Sequence, residues 1–312
     1  MESSVRKKGL LSNIFTHTFE TLKHYPLIYV PFTIFVTVEL TALTFLYYIP
    51  RVPLRELFGP PVRTFWGEKF LHYPYNFLLL PKLSYYSRMF LSIILGSLLL
   101  GMAVALINDI YYKKPLRLLK ALKIALKKYI SLFTVALIIT ALYFLLERTL
   151  AFGVIKYFLS GHKKLLFIRA NIWVGPLLSV LSFFTAITVQ SVFAYCVPAL
   201  IIGNEKLLKA IMKSFLLYVK YFIPTLIIVG LPMCAFIPIL ILTYNSTFLI
   251  NKLFPEFILY ILIFGAIVNS LVLDLLITAS TTYCYLETVR PKNIEASQNL
   301  KNTKEGIKGS KK

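Results

Sequence analysis

The sequence predicts an all-α membrane protein: six transmembrane helices arranged as three helical-hairpin repeats, with amphipathic helices lying at the cytoplasmic interface. Three observations carry this expectation. Hydrophobic residues make up 58% of the 312 and charged residues only 15%, against about a quarter charged in ordinary soluble domains. The apolar residues gather into six stretches, each close to or above the roughly 20 residues that cross about 30 Å of hydrocarbon. Two of those stretches are introduced by almost the same basic segment, Arg117-Leu-Leu-Lys-Ala-Leu122 and Lys206-Leu-Leu-Lys-Ala-Ile211.

The chain opens with Arg6, Lys7 and Lys8, followed by a segment, 9–23, of mixed polarity. Its amphipathic pattern and the lack of a small-residue cleavage pattern predict a retained N-terminus rather than a signal peptide. Span one is expected over 27–49. The connection 50–88 is rich in proline and aromatic residues, among them Phe58, Phe65, Trp66, Phe70 and Tyr75. Such rings favour the water–lipid boundary, so this connection is expected to hug the outer surface. Span two is expected over 89–107.

Pro115 then suits the first position of a helix. Leu116, Leu119, Leu122 and Leu126 form one stripe, and Arg117, Lys120, Lys123, Lys127 and Lys128 lie beside or opposite it, the pattern of a helix in the headgroup plane. Span three follows over 129–146, and 153–176 is expected to be a second surface-hugging connection. Spans four, five and six are expected over 174–202, 215–243 and 257–284. Pro224, Pro232 and Pro238 with Gly230 predict that span five is kinked. These elements make residues 1–290 one membrane domain. Beyond Arg290 there are few apolar and no aromatic residues, so 291–312 is expected to be a basic, disordered cytoplasmic tail.

Orientation follows from the excess of Lys and Arg in cytoplasmic connections. The N-terminal segment, the second and fourth connections and the tail together hold 22 of the 34 basic residues. This places both termini in the cytoplasm of a multi-pass protein of the cell membrane. Aligned on their basic starts, 117–139 and 206–228 match at Lys120 and Lys209, Ala121 and Ala210, Tyr129 and Tyr218, and Phe133 and Phe222. A shared apolar period does not also align Lys, Ala and Tyr, so an internal repeat is predicted. A fainter copy, with Leu11, Phe15, Phe19 and Lys23, supplies the third unit.

The segment from Val197 to Phe222, with Ala210, Lys213 and Ser214 following a Pro-containing span end, resembles a widespread group of six-span prokaryotic membrane proteins. It is similar to the membrane domain that precedes the catalytic barrel in some glycerophosphoryl diester phosphodiesterases, and to the stand-alone relatives of that domain. The closing Tyr283-Cys-Tyr-Leu-Glu-Thr-Val-Arg290 resembles the group's final span. The barrel itself is absent, and no Trp stands near Phe215. The resemblance therefore implies a membrane module and carries no catalytic residue.

Charges inside hydrocarbon are functional candidates because they are costly unless paired, hydrated or neutralised. Glu39 falls near the middle of the first span and Asp274 a little past the middle of the last, with no Lys or Arg expected inside the apolar centre of any span. Asp274 shares a face with Ser270, Thr278 and Thr281, and Gln190 lies at similar depth beside Ser182 and Ala186. Convergence of Glu39, Gln190 and Asp274 would give a proton or cation site; the alternative is a carboxyl hydrogen-bonded to a neighbouring helix. Ser97, Gly101 and Ala105, every four residues, are read as a close-packing stripe.

His17, Glu20 and His24 share a helical face at metal-like spacing, yet an interfacial helix needs no metal, and none is expected. Cys196, Cys234 and Cys284 fall inside spans as free thiols. No phosphate loop, dinucleotide fingerprint or nucleophile motif is present, so no enzyme and no cofactor are predicted. The basic excess punctuates lipid spans and does not form a nucleic-acid face.

The leading functional expectation is a non-enzymatic module that organises anionic lipid, a membrane-protein partner or a second copy of itself. Its contact residues would be Arg117, Lys120, Lys123, Lys127, Lys206, Lys209 and Lys213. The competing expectations are a small solute or ion transporter built on Glu39, Gln190 and Asp274, and a membrane-embedded lipid enzyme. Reporter fusions at the two ends of the chain should give the same sidedness, and opposite sidedness would overturn the six-span count.

Overall fold

The computed structural model describes the backbone of residues 2–160 and 164–289, with side chains from residue 11 onward apart from 155, 157–176, 244, 247 and 251. The expected tail, 291–312, lies outside the described residues. Among those described, every regular element is helical. In order these are α1 Glu2–His24, a 3-10 turn Pro26–Ile28, α2 Tyr29–Tyr48, α3 Leu54–Phe65, a 3-10 turn Glu68–Leu71 and α4 Asn76–Leu91. A π-turn, Ser92–Gly96, joins α4 to α5 Ser97–Tyr111, and α6 Leu118–Lys127, α7 Tyr129–Ser160 and α8 Lys164–Phe193 follow. Next come α9 Cys196–Ile201, α10 Leu207–Lys220, α11 Phe222–Cys234, α12 Ile237–Tyr244, α13 Ser246–Lys252 and α14 Phe257–Val268. A second π-turn, Asn269–Asp274, leads into α15 Leu275–Val289. Five of the resulting helices are long and apolar enough to cross a membrane, and six if the bent pair α10 and α11 forms one span.

Helix α5 is the centre. Met102, Ala103, Val104, Ala105, Leu106 and Ile107 are all buried, because helices pack it on every side: α6, α7, α9, α15 and α2. The Ser97, Gly101 and Ala105 stripe does what its spacing predicts. A Cβ on Gly101 would stand 2.6 Å from Leu132 Cδ1 and 3.3 Å from Ala125 Cβ, so the missing side chain lets α6 and α7 close on α5. The main core gathers around this contact, from Ile14 and Ala121 to Ala210, Cys196 and Cys284. Smaller clusters lie at the other end, around Leu43, Phe77 and Ile258 and around Ile49, Val62 and Leu71.

Several expected boundaries move. The second stretch is a helix from Asn76 to Tyr111, so 76–88, read as loop, is helical. The connection expected over 50–88 shrinks to 49–75 and is itself folded, with Phe58, Trp66 and Phe70 packed on the small core there. The connection expected over 153–176 is helical as far as Ser160 and again from Lys164. In the fifth stretch, 215–220 belong to α10, which meets α11 at an angle of 97°. Tyr221, at φ −115° and ψ 40°, makes the corner. Pro224 lies in the first turn of α11, where a missing N–H costs nothing, and the second break falls at Ala235 and Phe236 before α12.

The basic helices also differ in detail from the expectation. Both start at aligned residues, Leu118 and Leu207, after extended residues Arg117 and Lys206. Each approach contains one left-handed residue, Lys113 at φ 53° and Asn204 at φ 51°. Pro115 therefore precedes α6 and does not begin it. The face of α6 that meets the core is Ala121 and Ala125, while Leu119 and Leu126, expected on the apolar stripe, are 78% and 51% exposed.

Ser214 of α10 performs a specific structural task. The break between α8 and α9 leaves backbone groups without helical partners, as any helix end does. Ser214 Oγ donates to the Val192 carbonyl at 2.7 Å and accepts from the Tyr195 N–H at 3.2 Å. Close by, the hydroxyl of the buried Tyr195 donates to Thr225 Oγ1 at 2.7 Å, whose own proton goes to the Tyr221 carbonyl, and accepts from the Cys284 thiol at 3.3 Å. Replacing Ser214 by Ala should destabilise the fold by about 1–3 kcal/mol, the cost of buried backbone groups left unpaired. Thermal unfolding of the purified protein checks this, and an unchanged midpoint would show that water takes the place of the hydroxyl.

Candidate functional site

Glu39 and Asp274 stand on helices that begin or end at the side carrying the basic helices. At 1.5 Å per residue Glu39 lies about 20 Å beyond Pro26 and Asp274 about 22 Å before Val289, so the two carboxylates reach matching depth. Between them lies Arg88, from α4. Its Nη1 donates to Glu39 Oε1 at 3.1 Å and its Nη2 to Asp274 Oδ2 at 3.4 Å. The same Nη2 is 3.5 Å from Ser270 Oγ, and Ser270 donates to Glu39 Oε2 at 3.4 Å. With its amide set as the donor–acceptor pattern requires, the Asn269 side-chain oxygen also accepts from this guanidinium.

The expectation that no basic side chain would stand among the span centres is thus corrected. Two carboxylates and one guanidinium form a single, largely buried cluster, in which the Glu39 side chain is 6% exposed, that of Arg88 21% and that of Asp274 33%. Isolated charges would each lose several kcal/mol of hydration in such a place, and the arrangement is tolerable only because each is answered. Arginine suits the position because its planar fork serves several acceptors at once.

The π-turns explain the local geometry. Bonding from residue i to i+5 widens a helical turn, bringing Asn269 and Asp274, five apart, to the same side as Ser270. All three contact Arg88. The other π-turn, Ser92–Gly96, comes directly after α4, which carries Arg88. The Asn269–Asp274 turn therefore lies at the cluster, as π-turns commonly do at functional positions, while Ser92, Ile93 and Gly96 of the other line the first cavity described next.

Two cavities open beside it. The first, about 490 Å³, has Arg88, Asp274, Gln190, Tyr143 and Thr278 at its polar end and walls such as Phe32, Phe35, Leu99 and Ile139. The second, about 540 Å³, is lined by Asp274, Gln190, Asn269, Glu147, Ser182 and Phe236, among others. Tyr143, Ala186, Gln190, Asp274 and Ile277 belong to both linings, so the spaces adjoin across these side chains. Gln190 joins Asp274 as a cavity wall and is not a member of the ion cluster, while Glu39 belongs to the cluster and lines neither cavity. Thr278 and Thr281, expected on the Asp274 face, line the first cavity.

Arg88, Asn269, Tyr143 and Glu147 are site residues that sequence reasoning missed. A signal for Arg88 existed in the apolar run Phe77 to Leu80 upstream, which shows that the helix continues past the charge. Glu147 stood one residue beyond the expected end of span three.

Of the seven basic residues expected to face lipid or a partner, Arg117, Lys120, Lys123, Lys127, Lys206 and Lys209 are exposed. Lys120 also pairs with the buried Asp109 at 3.2 Å. Lys213 pairs with Glu205 at 3.1 Å and lies 5.5 Å from the centre of the Tyr285 ring. His17 Nδ1 is 3.7 Å from Glu20 Oε2, and His24 Nδ1 is 2.8 Å from the Glu20 carbonyl oxygen. Among the described residues no group of three or more His, Cys, Asp or Glu is placed to hold a metal ion. Cys196 and Cys284 are buried free thiols, while Cys234 is free and exposed.

Arg88→Met leaves Glu39 and Asp274 without their cation and should destabilise the protein by about 3–5 kcal/mol, read from thermal unfolding in detergent. Adding Glu39→Gln to that variant should restore part of the loss; no restoration would show that the pairing is not its source. In comparisons with known proteins, no family model matches the chain, no curated protein is significantly similar, and no solved structure matches it significantly.

Proposed function

We propose that this chain is a non-enzymatic, small-solute transporter whose binding site is the intramembrane chamber beside Glu39, Arg88 and Asp274. One observation carries this reading: a largely buried cluster of opposite charges, built on a π-turn, opens into two adjoining cavities. A purely structural ion cluster needs no chamber beside it. The broken fifth stretch supports the same reading, because Phe236, in the gap between α11 and α12, lines the second cavity. Discontinuous helices at a polar site are how many carriers change access. In this reading the chain comprises three hairpins crossing the cell membrane six times, both termini are cytoplasmic, and α10 with α11 forms an interfacial helix turning into a span.

A second role is favoured by the surface of α6 and α10. Leu119 and Leu208 are 78% and 75% exposed beside the exposed Lys123, Lys127, Lys206 and Lys209. Leucines dipping into lipid next to lysines at headgroup level suit an anionic inner leaflet, at about 1 kcal/mol for each basic residue. The transporter would thus be seated on anionic lipid, with a partner protein or a second copy as the other candidate for this face.

Purified protein in sealed vesicles should give protein-dependent flux of protons or a small solute, and Glu39→Gln or Asp274→Asn should abolish it. Absent flux across a solute panel, or equal flux in the variants, would overturn the reading. Charge reversal at Lys123, Lys127, Lys206 and Lys209 should release co-purifying anionic lipid, measured by mass spectrometry, without changing insertion. Undiminished lipid would remove the second role.

A further inference from the structure

The charges around the chamber do not balance. Glu39 and Arg88 form the more buried couple, whereas the Asp274 side chain is 33% exposed and lines both cavities. Glu147, from α7, lines the second cavity with it. Ser182 donates to its Oε1 at 3.0 Å, and Tyr143 supports Ser182 at 2.7 Å, so this carboxylate is held in place. Among the described residues, no basic side chain lines the second cavity, and Arg88 is the one basic residue lining the first. The chamber therefore carries surplus negative charge from two helical segments, α7 and the turn before α15, in surroundings where an unanswered charge is costly.

The rest of the lining says what kind of cation would answer it. A proton or a bare metal ion has no use for about 540 Å³ of space, and among the described residues no set of carboxylates or imidazoles converges to strip a metal of its water. The second cavity instead offers the amides of Gln190 and Asn269 with the rings of Phe183 and Phe236, and aromatic faces attract organic cations. The adjoining first cavity is walled mainly by apolar side chains such as Phe32, Phe35 and Ile139.

We propose that the paired cavities take an amphipathic organic cation, with its charged centre between Asp274 and Glu147 and its apolar body against the wall of the first cavity. This inference rests on the transporter reading above for its purpose, but binding can be measured without transport. The source is a free hydrophobic cation or the amine headgroup of a lipid.

The test uses the full chain in phosphatidylcholine nanodiscs and two ions of the same shape and opposite charge, tetraphenylphosphonium and tetraphenylborate, in equilibrium dialysis corrected for empty discs. The protein should retain the phosphonium and not the borate, and Glu147→Gln or Asp274→Asn should weaken retention by about tenfold or more, as removing a close countercharge requires. Glu147→Gln lies outside the Arg88 cluster and keeps the test valid if Asp274→Asn fails to assemble. Displacement of the phosphonium by adding phosphatidylethanolamine to the discs supports the proposal with a lipid amine as its source; no displacement supports it with a free cation.

Retention of the borate, or equal retention of the phosphonium by wild type and both variants, overturns it. Phosphonium held but not moved across vesicles supports the cation site while removing the transporter reading. Flux of other solutes with no phosphonium retained does the reverse.

Discussion

A guanidinium inside a bundle of apolar helices has to be answered from more than one of them, and Arg88 is answered from two. Glu39 reaches it from α2, and Asn269, Ser270 and Asp274 reach it from the turn before α15. Because each of these groups is costly alone, the helices that carry them are fixed in rotation and depth relative to one another. The remaining architecture conforms to this constraint. The π-turn Asn269–Asp274 lies at the cluster, where an extra residue in the turn aligns side chains that a regular helix would separate. The cavities occupy the space between this pinned group and the pair α7 and α8.

At the other end of the bundle the demands are met by close approach rather than by charge. Gly101 allows α6 and α7 to settle on α5. Ala121 and Ala210, aligned residues in the two basic helices, are both fully buried, which places the short helices against the core and leaves their lysines outside. Ser214 seals the interruption between α8 and α9. The Ala210, Lys213 and Ser214 group, noticed in the sequence for its pattern, thus has a distinct physical role at each position: contact, ion pairing and capping.

Much of this was legible in the residues. Apolar stretches of the right length gave the helices, and carboxylates inside them were conspicuous enough to mark Glu39 and Asp274. Arg88 escaped because a charge at the edge of a hydrophobic stretch reads as the edge itself, so the second helix was cut at 89, although it begins at Asn76. Glu147 was lost in the same way. Hydropathy also cannot register a corner: Phe215 to Lys220 are as apolar as a span requires, yet Tyr221 turns the chain by 97°. The π-turns left no compositional trace, since they arise from how neighbouring helices meet.

The helix from Asn76 to Tyr111 is 36 residues long, about 54 Å at 1.5 Å per residue, against a hydrocarbon layer of about 30 Å. Such a rod must lean over or protrude. Its irregular turn at Ser92–Gly96 divides it into a longer arm bearing the guanidinium and a shorter arm wedged among the packed helices. Gripped through its guanidinium in the first arm and through the close approach at Gly101 in the second, the rod is clamped on both sides of that turn and keeps its lean as one piece.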